Sequence, residues 1–462
     1  MPTAAAASMD VRDTGSAATR TWHAALYVLL VLSFVTGGSS QEHGWTDVGA
    51  QLLALPVLAV ALIRLQALPP SRVRTSALVA LAAVVLLPWV QLLPLPQAAW
   101  QLAPARDVLA ADLAHAGVAQ PDTRWSLTPH ATLQGASALL PAAALFLGAL
   151  GVGTRTQRRL LLLCVALPLA SLVLGFLQLG APQDSLLNPY PQWAPAMNGT
   201  FANPNHQGTA MLVGLGICLA FAVGAFGARD DHAAPRNPWP AIIAGAFLLL
   251  GLPLTNSRAA VVIGVLLLVA APLAMAATAL RRAGRARRGV GALLVAGLVA
   301  AVGLSAATGW MKVDEIEEIR WIMRQATMAL AGLHLPWGSG IGSFVPVFEQ
   351  AVPDVLLMPN YVNAAHNDFA QVWLEAGIAG VVVAAFAVLA IGAAMRQQLR
   401  LHAGDRRLVW ATLLGAFAVL ASSIVDYPLR TPAMLAVIAV LCGVLFAQAS
   451  RSGRAHSDPI PG

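Results

Sequence analysis

The sequence predicts an all-α, polytopic membrane protein with about twelve transmembrane helices and one long outer-face loop that holds short helices. Three observations predict it. The chain of 462 residues is 58% hydrophobic and only 11% charged, whereas a soluble globular chain carries about 25% charged residues. Its apolar windows, such as Ala259–Leu280 and Val290–Trp310, reach the roughly 20 residues that cross ~30 Å of hydrocarbon. In lipid every backbone amide must be paired internally, so runs of this length mean helices, and the alternating ~10-residue pattern of a membrane barrel is absent.

Taken in order, the spans fall near 23–37, 47–67, 76–94, 133–152, 160–180, 207–227, 239–255, 259–280, 290–310, 372–395, 408–425 and 431–449. With the amino terminus inside, Arg64, Arg72, Arg74, Arg155, Arg158, Arg159, Arg229, Arg236 and the arginine-rich runs 281–288 and 396–407 all fall in inner connections. Of the 28 Lys and Arg residues, 21 then lie on the inner side and 7 on the outer. This asymmetry orients the chain with both termini cytoplasmic. It also explains a sequence pI near 10.1 without nucleic acid, because the positive charge sits in short loops between spans. The first apolar run follows Arg20 as a signal peptide would, yet no small-residue cleavage site follows it, so it reads as a retained span. Cys164, Cys218 and Cys442 all sit within apolar windows and read as small buried hydrophobes.

Two outer segments are long. Residues 94–130 are rich in Pro, Ala and Trp, and Trp100 and Trp125 suit a segment at headgroup level. Residues 311–368 form the longer one, and a loop of that length is usually functional. It opens with the acidic stretch Asp314–Glu318, continues as an amphipathic helix over 319–333 and turns at Pro336 and the glycines that follow. The chain divides into an N-terminal region of five spans (1–198), a region of spans six to ten (199–392) and a C-terminal pair of spans with a tail (393–462).

Four outer-face stretches carry polar residues suited to chemistry: 199–208, 254–258, 320–344 and 365–369. In the first, Asn205 after Pro204 reads either as a cap on span six or, with Asn203 and His206, as polar groups offered to a sugar or phosphate beside a helix N-terminus. Arg258 stands between two spans with almost no loop. It either snorkels to lipid phosphates or serves an anionic substrate, the default for an ionisable residue at that depth. Arg320 and Arg324 share one face of the amphipathic helix; they can grip one diphosphate without a metal, or pair with Glu317 or Glu318. His366 follows an irregular turn directly before span ten. An imidazole, with an ordinary pKa of about 6.5, can take a proton from a hydroxyl at neutral pH. No metal-ligand spacing accompanies it. Asn367 lies beside it, and Glu375, two turns into the span, either orients a neighbour or is idle. Gly377 and Gly380 read as small residues that let helices approach.

His366-Asn367, nine residues, Gly377, two residues and Gly380, taken with the 199–208 stretch, the Thr255–Arg258 turn and the Arg320–Phe344 run, resemble the O-antigen ligase and O-antigen polymerase family. The resemblance covers roughly residues 199–392. It implies a metal-independent, cofactor-free glycosyltransferase of the bacterial inner membrane with a periplasmic active site. Such an enzyme moves a glycan from undecaprenyl diphosphate to an acceptor hydroxyl on lipid A-core, a growing surface polysaccharide or a protein, with inversion. It also implies that Arg258 and Arg320 bind the diphosphate, with Arg324 the alternative one turn on, and that His366 activates the acceptor. The nearest rival within this class is a protein O-oligosaccharyltransferase. A transporter or lipid-linked glycan flippase would need broken helices or mid-membrane charges, and a scaffold would need no histidine and arginines converging from separate loops.

Overall fold

A computed structural model describes residues 16–40, 45–118, 122–191, 197–226, 237–277, 315–350, 362–401 and 405–452. It is an all-α bundle. Among the described residues the only β pairing is an isolated bridge between Pro94 and Arg124. The helices are α1 (Ala17–Thr36), α2 (Trp45–Gln66), α3 (Arg72–Val90), α4 (Gln97–Trp100), α5 (Pro104–His115), α6 (Pro129–Gly151), α7 (Thr154–Leu179), α8 (Pro204–Phe226) and α9 (Trp239–Gly251). They continue as α10 (Arg258–Ala277), α11 (Glu315–His334), α12 (Phe344–Glu349), α13 (Asp368–Leu401), α14 (Arg406–Ser422) and α15 (Pro432–Ser452).

Eight of these helices are long and apolar enough to cross a membrane. Three further expected spans fall on helices outside that set: α9 with the 3-10 turn Leu252–Thr255, α10, and α14. The expected span at 290–310 lies outside the described residues. The protein is therefore a multi-pass membrane protein.

Burial separates the spans into an inner and an outer set. α15 and α8 are 83% and 72% buried over their apolar windows, and α15 packs on α6 while α8 packs on α14. Their contact faces are small: Ala433, Ala436 and Ala449 of α15 and Ala220 of α8 are fully buried beside Ala411 and Ala418 of α14. Between helices in lipid the drive is close packing rather than water exclusion, which favours small side chains at the contact. α2, α3 and α13 instead turn Leu52, Leu55, Ile63, Val79, Leu86, Val382 and Leu389 outward, as lipid-facing helices do.

One end of the bundle collects arginine. Arg451 hydrogen-bonds the Val152 carbonyl at 2.8 Å, Arg64 lies over the Trp22 ring and Arg158 over Phe221. At the opposite end α8, α10, α13 and α15 begin, α14 finishes, and α11 and α12 lie against the start of α13. Met323, Leu330, Phe344, Phe348, Ala365 and Leu374 form a small separate core there, and it fixes α11 to the chain around His366.

α13 starts earlier than hydropathy alone indicates because Asn367 caps it: its side-chain oxygen accepts from the Ala370 amide at 2.9 Å. The helix then breaks at Gly377, whose φ of 55° and ψ of −143° are not helical. A Cβ there would stand 2.4 Å from the Pro336 carbonyl oxygen, so this glycine does more than let helices approach. The break frees the carbonyls of Leu374 and Glu375, which accept from the amides of Ser339 (2.9 Å) and Gly340 (2.8 Å). The Ile378 amide in turn donates to the Pro336 carbonyl at 3.0 Å. Backbone polar groups in a buried position must find such partners, and the turn at 336–343 supplies them.

The segment after α3 holds that turn from its other side. Gln91 bridges it, donating to the Glu375 carbonyl at 3.0 Å and accepting from the Ile341 amide at 2.9 Å. Arg106 donates to the carbonyls of Trp125 and Gly338, and the Trp125 indole donates to the Trp337 carbonyl at 2.7 Å. Trp100 and Trp125 are buried, at 1% and 8% exposure. They are thus corrected from headgroup anchors to parts of a clamp on the glycine-rich turn. Burial lowers the Arg106 pKa to about 10, still far above neutrality.

Candidate functional site

At the arginine-poor end, His366 is held in the left-handed region, with φ of 48°, an uncommon conformation for a residue with a side chain. Ala364 and Ala365 are packed into the bundle on one side, and the Asn367 cap fixes the other. Asn367 also donates to the Ile424 carbonyl at 2.6 Å, tying the turn to the connection between α14 and α15. The histidine ring thereby faces Asp426 in that connection, with Nδ1 3.3 Å from Oδ1.

Asp426 is the hub of the site. His206, at the first turn of α8, points Nε2 at the same Oδ1 from 3.8 Å. Asn203 donates to Oδ2 at 3.4 Å. The Tyr427 ring lies between the two histidines, each meeting it edge-on with centroids 4.8 Å apart. Burial alone would push the Asp426 carboxyl up. The adjacent His366 ring, whose Nδ1 approaches Oδ1 without an aligned hydrogen bond, and the charges of His206, His366 and Arg320 outweigh it and hold the group well below the usual carboxylate range. Burial, with the neighbouring carboxylate, pushes the Tyr427 phenol up to about 12, so it stays protonated; Asn363 donates to its oxygen at 3.2 Å.

A second ionic cluster anchors the same connection. Arg430 contacts Glu375 at 2.5 Å and Asp368 at 3.6 Å. Burial works against its charge, but the two carboxylates prevail and raise its pKa. Asp368 also accepts from the Ser423 hydroxyl (2.8 Å) and the Leu429 amide (3.1 Å). The start of α13 and the 423–430 connection are therefore one rigid piece, and that rigidity sets the distance from His366 to Asp426.

The sequence candidates divide into groups. His366, His206 and Asn203 converge on Asp426. Arg320 reaches the site electrostatically, its charge acting on both Asp426 and His206. Arg324 sits half-buried one turn along α11. Arg258, also half-buried, opens α10 two residues after Asn256, which adopts φ of 56°. The turn ahead of it and the first turn of α10 pack on the second turn of α8, where a Cβ on Gly208 would meet the Ala260 Cβ at 2.7 Å and the Thr255 Oγ1 at 3.5 Å. That contact places Arg258 beside the helix that carries His206. Asn203 rather than Asn205 caps α8, its oxygen accepting from the Asn205 amide at 2.8 Å; Asn205 contributes its carbonyl to the Thr209 hydroxyl. Glu375 is buried and bonded to Arg430 and Gln371. His206 is almost completely buried, and neither ring nitrogen has a hydrogen-bond partner.

Sequence reasoning missed Asp426, Tyr427 and Arg430. The signal for them was a connection of a few residues at the arginine-poor end that nonetheless holds an acid and a base, and ionisable residues so close to a span are functional candidates by default.

Chemically, a histidine with one nitrogen against a buried carboxylate and its ring partly exposed, at 16%, is able to accept a proton from an incoming hydroxyl. A carboxylate so placed can stabilise an imidazolium, as in hydrolytic triads.

Residues 243–385 match the family model described as O-antigen ligase. The match covers Arg258, Arg320, Arg324, His366, Asn367 and Glu375, and it bears out the resemblance to O-antigen ligases and polymerases. Comparison with curated proteins finds no match.

Proposed function

Starting from a chain that carries an O-antigen ligase domain, we propose that this protein transfers a glycan from undecaprenyl diphosphate to an acceptor hydroxyl at the His366 end of the bundle. That end faces the periplasm, and the protein resides in the bacterial inner membrane with both termini cytoplasmic. The observation that carries the reading is the His366–Asp426 pair, set at the end of the bundle where Arg320 and Arg258 also lie.

In this reaction the acceptor oxygen attacks the anomeric carbon while its proton passes to Nε2 of His366. The bond from that carbon to the diphosphate oxygen breaks, and its electron pair leaves with the diphosphate. Asp426 keeps the Nδ1 proton of His366 in place and stabilises the imidazolium. Arg320 and Arg258 neutralise the charge that grows on the leaving diphosphate, a stabilisation stronger in the transition state than in the ground state. The electrostatic reach of Arg320 to Asp426 favours it over Arg324 for this role. Attack opposite the leaving group inverts the anomeric centre.

Deleting the gene and resolving surface polysaccharide on a gel tests the reading and sorts its branches. Loss of all high-mass glycan from one acceptor marks a ligase, and accumulation of single repeat units marks a polymerase. An unchanged glycan profile removes the reading.

A further inference from the structure

Two histidines share one carboxylate oxygen at this site, and the reaction uses only one of them. His206 and His366 approach Oδ1 of Asp426 at 3.8 and 3.3 Å, and both lean edge-on against Tyr427 from the same 4.8 Å. They differ in exposure: the His366 side chain is 16% exposed and that of His206 only 2%. A group so enclosed cannot meet an incoming glycan, which moves His206 out of the substrate-binding set.

The placement of His206 is deliberate in geometric terms. Asn203 caps α8 and also donates to Oδ2 of Asp426, so the helix start and the carboxylate are joined. Pro204 and the cap fix the first turn, and His206 leaves that turn toward Oδ1. Both of its ring nitrogens lack a hydrogen-bond partner, and the Asp426 carboxylate, 3.8 Å from Nε2, is the carboxylate the ring approaches. The charged and titratable groups acting on it are Asp426 from the α14–α15 connection, His366 from the turn before α13, and Arg320 from α11.

We propose that His206 is a positioning residue that acts on Asp426 electrostatically across 3.8 Å, setting the direction and strength of the carboxylate's hold on His366. It touches neither donor nor acceptor. With Nε2–H turned to Oδ1, it takes part of the carboxylate's charge and fixes which oxygen His366 faces. Without it the full charge falls on the imidazolium, which then releases its proton less readily, and the acid limb of the rate profile moves to higher pH. A packing role alone predicts no such movement.

The inference rests on the proposed glycan transfer, and its test separates the two. Transfer from an undecaprenyl-diphosphate-linked oligosaccharide is measured against pH with the full-length protein in lipid nanodiscs. An inactive wild type removes the functional reading itself. With an active wild type, His206→Leu lowers kcat about tenfold, leaves KM for the donor unchanged and moves the acid limb upward. His206→Gln carries an amide N–H to the Nε2 position, cannot titrate, and restores the wild-type profile. His206→Asn, too short to reach Oδ1, behaves like the leucine variant and supplies the comparison if His206→Leu does not insert. Wild-type profiles for the leucine or asparagine variant overturn the proposal, as does a glutamine variant as defective as the leucine one.

Discussion

Two clusters meet at the same end of the bundle and use their polar groups in opposite ways. Around the glycine-rich turn 336–343, nearly every donor is spent on a backbone carbonyl: Arg106 on Trp125 and Gly338, Trp337 on Ala99, Thr132 on Ile341. Around Asp426, side chains face side chains, His206 is left without a hydrogen bond, and His366 keeps part of its ring exposed. A buried polar group without a partner is destabilising by about 1–3 kcal/mol. The first cluster is thus a structural clamp, while the second keeps ring nitrogens unpaired beside a carboxylate, as the proposed proton transfer needs. In the proposed reaction the clamp matters because it grips α13 at its break at Gly377, in the same helix that His366 and Asn367 lead into.

The contrast predicts that substitutions in the two clusters fail differently. Asp426→Asn keeps the shape of the site but removes the charge that holds His366. Turnover in a glycan-transfer assay falls about 10²–10⁴-fold while the unfolding midpoint changes little; equal loss of stability and activity would erase the distinction. Arg430→Ala leaves Glu375 and Asp368 buried without their cation, and breaking such a pair is destabilising by about 3–5 kcal/mol. Denaturant unfolding in detergent should show it, with activity falling in step. Gln91→Leu removes two hydrogen bonds from the clamp. It lowers stability by about 1–3 kcal/mol, and the pH profile of transfer keeps its shape because no group at Asp426 is touched. Asn203→Ala sits at the border, losing a helix cap worth about 1 kcal/mol together with one donor to Asp426. Its turnover should fall less than that of Asp426→Asn.

The bundle was legible in the sequence because lipid imposes a rule that acts on every span. Apolar length marks the helices and arginine marks one end, and α1 to α3, α6 to α8 and α13 to α15 follow from those two signals. The candidate site was legible only where residues are local to a pattern: His366 with Asn367, Arg258 in its short turn, Arg320 on an amphipathic helix. Asp426 belongs to no local pattern. It sits 60 residues after His366, and only the packing of α14 and α15 against the start of α13 brings the two together. Gly377 was read as a packing residue because sequence spacing cannot distinguish a small side chain from a positive φ. Trp100 and Trp125 were read as headgroup anchors because a tryptophan at an interface looks the same whether it faces lipid or a neighbouring turn.

The central claim is that His366, held by Asp426, takes the acceptor's proton while arginines bind the donor's diphosphate. Purified protein in nanodiscs, given an undecaprenyl-diphosphate-linked glycan and acceptor, allows donor binding and transfer to be measured side by side for wild type and His366→Ala. The account predicts that the variant binds the donor as the wild type does and transfers about 10²–10⁴-fold more slowly. Transfer at the wild-type rate by His366→Ala would contradict it.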